Sequence, residues 1–102
     1  MIELLAVPAW DATPTTLTRW VEALEAQGLT VSVVRDTPGA SWIEVNALRV
    51  RGYALMNGIK VEAINFELTA PDPTPARQAI EAAATTLAWE IDEDEDHDDD
   101  DD

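Results

Sequence analysis

Asn57-Gly58 constrains this chain more tightly than any other pair of residues. It lies between Leu55-Met56 and Ile59-Lys60. Asn-Gly between apolar runs is the strongest short-range signal for a two-residue β-hairpin, because both residues tolerate the positive φ such turns demand. The hairpin commits its flanks, residues 48–56 and 59–68, to antiparallel strands. A two-residue loop pairs Met56 with Ile59, Ala54 with Val61 and Gly52 with Ala63. The apolar parity then slips: Ile59, Val61 and Ala63 are odd, whereas Ile64, Phe66 and Leu68 are even. One extra residue near Ala63-Ile64, a β-bulge opposite Gly52, returns Ile64 and Phe66 to the inner face.

Other elements fall on either side of the hairpin. Residues 2–7 form a short apolar strand stopped by Pro8. Leu17, Trp20, Val21 and Leu24 then follow the i, i+3, i+4, i+7 spacing of an amphipathic helix. Thr13 is placed to cap it, Pro14 to open it and Gly28 to end it in a left-handed conformation, which predicts a helix over 14–27. Residues 29–36 alternate as a half-buried strand, with Leu29, Val31 and Val33 on one side. Thr37-Pro38-Gly39-Ala40 suits a type II turn. Residues 41–45 form the next strand, with Ile43 and Val45 inward and Trp42 and Glu44 outward. Beyond the hairpin, Thr74 as cap and Pro75 at the first position start a second helix whose stripe runs through Ile80, Ala83, Ala84, Leu87 and Ile91. Trp89 lies about 180° from Ile80 on a helical wheel. It therefore covers another surface or marks the helix end.

The resulting order, β-α-β-β-β-β-α, predicts an α+β fold of two layers, a curved antiparallel sheet with both helices on one face. In topology this order resembles the β-α-β4-α unit of the TATA-binding-protein-like fold. The resemblance implies an architecture and no activity.

Length and charge bound the function. At 102 residues the chain fits one domain. Its formal charge of −15 is unevenly placed. Residues 90–102 hold eleven of the 21 acids and no Lys or Arg, leaving ten acids against six bases, a net of −4, in residues 1–89. The division predicts a folded domain over 1–89 and a disordered Asp/Glu tail over 90–102, since such a run repels itself and buries almost nothing. A basic protein surface is the natural target of that tail. The expected location is cytoplasmic, because the N-terminus has no basic, apolar leader pattern and no stretch approaches the ~20 apolar residues of a membrane span.

The inventory of reactive groups is short. There is no cysteine, and His97, the one histidine, sits inside the acidic run without a preorganised partner. No Gly-rich phosphate loop or nucleophile elbow occurs. The tail lacks the Gly and ligand spacing of a calcium loop. These absences predict a protein with no catalytic residues, metal or cofactor. The candidate site is instead the sheet face away from the helices, carrying Trp42, Arg49, Arg51, Tyr53, Lys60 and Glu62, with Arg35 nearby. Aromatics among bases on an open sheet suit a protein interface, including a homodimer. The alternative is a face that stacks RNA or single-stranded DNA, with the tail as autoinhibitor or nucleic-acid mimic. Trp20 is predicted in the core. Trp10 is expected over the sheet or at the rim of a pocket.

Overall fold

In the computed structural model of the chain the described residues are 2–12, 15–37 and 40–94. Thr13 with Pro14, the Pro38-Gly39 turn, and His97 in the last residues lie outside them. The elements follow as β1 (Ile2–Pro8), a two-residue β2 (Thr15–Thr16), α1 (Leu17–Glu25), β3 (Ser32–Thr37), β4 (Ala40–Val45), a 3-10 turn (Asn46–Leu48), β5 (Val50–Asn57), β6 (Lys60–Leu68), α2 (Thr74–Leu87) and β7 (Trp89–Asp94). The sheet order is β3-β4-β5-β6-β1-β7, and every pairing is antiparallel. The two helices touch and form the second layer. This is the α+β, two-layer antiparallel arrangement that the residue pattern predicts.

Alternation along the strands explains the layering. Leu4, Ala6, Ile43, Val45, Ile64, Phe66 and Leu68 point into the core from the inner face. Leu17, Trp20 and Leu24 meet them from α1, and Ala76, Ile80, Ala83 and Ala84 from α2. Alanine on α2 lets that helix lie close. The centre is aromatic. Trp20 stands 5.5 Å from Phe66 and 5.3 Å from Trp89, the latter pair edge-to-face at 87°. Such tilted and T-shaped contacts add to the area each ring buries.

Helix α1 starts three residues later than the predicted 14–27. Thr15 and Thr16 are extended and pair with Val61 and Lys60, extending the flank of β6 past the end of β1. Thr16 is therefore the cap, its Oγ1 accepting from Arg19 N at 3.3 Å. Gly28 ends the segment at φ +87°, as expected of a left-handed stop. In α2 the first amide, Thr74 N, donates to Asp72 Oδ1 at 3.1 Å, so Asp72 supplies the cap that Thr74 was expected to give.

The largest departure is at the C-terminus. Ala88 turns left-handed (φ +61°) and ends α2, so Trp89 begins a strand and does not lie on the helix. That settles the helical-wheel conflict: Trp89 marks the helix end and enters the core. β7 pairs with β1 without a break from Pro8↔Trp89 to Glu3↔Asp94. The folded domain thus runs through Asp94, five residues past the boundary drawn at 89, and Ile91 packs on the core from β7 and not from α2.

The hairpin also differs in detail. Its closing pair is Asn57↔Lys60, leaving Gly58-Ile59 as the loop, and Met56 faces Val61. Gly58 has φ +66° while Asn57 does not turn positive, the signs of a turn with Gly at the first central position. The register shift falls between Leu55 and Met56, so Glu62 is the extra residue and the bulge lies nearer the turn than Gly52. Gly52 instead faces Phe66 directly. A Cβ there would stand 2.7 Å from Phe66 Cε1 and 3.0 Å from Ile64 Cγ2. Gly52→Ala is expected to cost about 1–3 kcal/mol by overpacking. It should lower the urea midpoint at unchanged slope; an unchanged midpoint would mean that the Phe66 ring swings aside freely.

Candidate functional site

The helices cover one face of the sheet and leave the other open. Strand register sets the rows on the open face. One row runs Val34, Trp42, Tyr53, Asn65, Leu5 and Asp92 from β3 to β7. The neighbouring row begins Ser32, Glu44, Arg51, Glu67 and Glu3.

Three of the predicted site residues meet here. Trp42 Nε1 donates to Glu44 Oε2 at 2.9 Å, and the same oxygen lies 3.3 Å from Arg51 Nη2. Arg51 Nη1 in turn donates to the Tyr53 hydroxyl at 3.3 Å. Trp42 and Tyr53 close the circuit, with ring centroids 6.1 Å apart. The Tyr53 hydroxyl, with Glu44 and Glu67 behind it, holds the Arg51 guanidinium above its ordinary pKa. It is fully charged at neutral pH in either case, so this group is no pH switch. The ion pair is surface-exposed and weak, and fixes orientation more than stability.

The other three lie apart from this cluster, toward the two ends of β5. Arg49 is not on a strand: the chain turns through Asn46–Leu48, and Arg49 takes a left-handed φ of +55°. Its carbonyl accepts from Thr69 N and Thr69 Oγ1, both at 3.1 Å, which ties the start of β5 to the end of β6. Its side chain borders an open depression of about 320 Å³ with Glu44, Arg51 and Glu67. Lys60 and Glu62 sit at the opposite end of β5, about 25 Å away at ~3.3 Å per residue. Glu62, in the bulge, accepts from Asn57 Nδ2 at 3.0 Å. Lys60, opposite Asn57, shares the open face of Arg51 and Tyr53 but stands at its hairpin end, so the bases are spread along the face and do not cluster. Alternation orders residues on a face without bringing them together.

The open face carries more apolar surface than expected. Leu55 is 60% exposed and Ile59, in the hairpin loop, 75%. Leu5 and Tyr53 are also open to solvent. Trp10 neither covers the sheet nor rims a pocket. It is 94% exposed at the tip of a turn closed by Ala12 N to Ala9 O at 2.8 Å. Acids frame the apolar row, with Glu3, Glu44 and Glu67 on one side and Glu90 and Asp92 on β7. Leu5 and Asp92 were legible as neighbours only once β7 was seen beside β1.

A second hollow, of about 440 Å³, lies on the helical side between Leu29, Leu48, Pro75 and Ala79. Two amide side chains, Gln27 and Gln78, border it, and Gln27 already donates to Ala79 O at 2.8 Å. Among the described residues no three His, Cys, Asp or Glu side chains gather as a metal site, and no helix is long and apolar enough to cross a membrane. No protein-family model matches the chain, and no curated protein or solved structure is significantly similar to it.

Proposed function

We propose that this chain is a non-enzymatic protein-interaction module whose open sheet face docks a partner bearing apolar and basic side chains. The observation that carries the reading is the open-face group of Leu5, Tyr53 and Leu55, exposed apolar surface that no element of the fold shields, with half-buried Trp42 beside Tyr53. The surrounding carboxylates select the charge of the partner. A second copy docked face to face would bring the carboxylates of Glu3, Glu67, Glu90 and Asp92 toward an equally acidic face, so a basic partner fits better than a homodimer through this face. RNA or single-stranded DNA would meet the same carboxylates, and a phosphate would have to displace Glu44 from Arg51. Residues 95–102 add negative charge next to β7 in sequence, which also favours a basic surface.

Two measurements test this. Sedimentation of the full chain at low and moderate salt should show a monomer. A dimer abolished by Leu55→Asp would restore the second-copy reading. The double variant Leu5→Asn/Leu55→Asp should leave the melting temperature within about 5 °C, because both side chains are exposed and no like charge is set opposite Asp92. It should nevertheless lose the partners that the wild-type chain retains from native lysate. An unchanged set of captured partners would remove the face from consideration.

A further inference from the structure

We propose that β7 is a docking edge, to which an extended peptide with Lys or Arg at alternate positions adds as a further strand of the sheet. The inference deepens the reading of a basic partner and rests on it.

The two edges of the sheet are unlike. β3 is interrupted, its pairing with β4 shifting register between Arg35 and Thr37. Bulges of this kind blunt an edge against further pairing. β7 pairs with β1 over six consecutive residues without a shift, and no strand pairs its outer flank among the described residues. A regular strand presents alternate N–H and C=O groups outward at the spacing an incoming strand needs.

Side chains then decide the occupant. On the open face β7 carries Glu90 and Asp92, both exposed, opposite Val7 and Leu5 of β1. A strand laid beside β7 places its outward residues next to these carboxylates, and lysine or arginine stems extend toward Leu5 and Val7. On the inner face Ile91 is half-buried against the core and α2 packs on β7, so the inward residues of the peptide meet a formed wall. A second copy is the wrong occupant. Antiparallel β7–β7 pairing centred on Ile91 would set Glu90 opposite the Asp92 of the second copy, and like charges directly opposite are destabilising. The acids that prevent self-pairing thus select a cationic strand.

The test uses the full chain and three short peptides. One alternates lysine and threonine, one is its twin with alternate backbone nitrogens methylated, and one carries glutamate in place of lysine. Fluorescence anisotropy reads binding, and amide hydrogen exchange reads its location. The lysine peptide should bind and slow exchange at alternate amides of 89–94. The methylated twin, with the same charge but missing edge hydrogen bonds, should bind at least about tenfold more weakly. The glutamate peptide should not bind. Glu90→Lys/Asp92→Lys should weaken the lysine peptide by at least about tenfold as well. Equal binding of the methylated twin overturns strand addition. If that equal binding comes with protection around Trp42 and Tyr53, the sheet-face reading survives it. Absence of binding by the lysine peptide at low salt overturns strand addition while leaving the lysate experiment on the face to stand or fall separately.

Discussion

Truncation after Trp89 is expected to lower the melting temperature by at least about 12 °C, whereas truncation after Asp94 leaves it within a few degrees. The first cut removes the β7 side of the pairs from Val7↔Glu90 to Glu3↔Asp94. It also takes away Ile91, which packs on the core, and opens one flank of β1. Net backbone hydrogen bonds of about 0.5–1.5 kcal/mol each and one half-buried isoleucine together amount to roughly 3–5 kcal/mol. For a domain of this size that is a large share of the whole stability. The second cut lies beyond the last β1 pair. Thermal unfolding of the two truncated chains beside the full one separates strand from tail. Equal melting temperatures for all three would mean that β7 contributes no net stability.

Trp20→Ala is expected to destabilise by about 3–5 kcal/mol, the range for removing a buried large aromatic. Trp20 is fully buried at the centre of α1, and its ring is the common neighbour of Phe66 and Trp89. Its loss empties the junction of α1, β6 and β7 at once. Trp20→Phe should cost distinctly less, because most ring contacts persist and the indole N–H, which has no hydrogen-bond partner, is removed along with the bicycle. Urea unfolding of the two variants gives the comparison. Equal costs would show that the indole itself, and not the filled volume, is what the junction requires.

Much of the architecture is legible from local pattern. The stripe of Leu17, Trp20 and Leu24 places α1, and alternation puts Ile43 and Val45 inward opposite Trp42 and Glu44. The contact of Trp42 with Tyr53 and of Glu44 with Arg51 follows from that alternation once β4 and β5 are paired. The same alternation puts Lys60 on the open face, opposite Asn57, but does not foresee that Arg49 leaves the strand or that Glu62 is an extra residue. Alternation holds only while the backbone stays extended, and the turn at Asn46–Leu48 and the bulge at Glu62 each break it.

The sequence alone places the folded body before an acidic run, an α+β order and an Asn-Gly hairpin, because turn chemistry and apolar period are local properties. The C-terminal limit of the domain was decided only by tertiary structure. Trp89-Glu90-Ile91-Asp92-Glu93-Asp94 has poor intrinsic strand preference and shares its composition with the residues that follow. It becomes a strand because β1, more than eighty residues away in sequence, offers an unpaired flank, and because Trp89 and Ile91 find the core from there. Pairing partners so distant leave no local trace. For the same reason the acidic edge that β7 presents, beside Leu5 and Val7, could be found only in the folded chain.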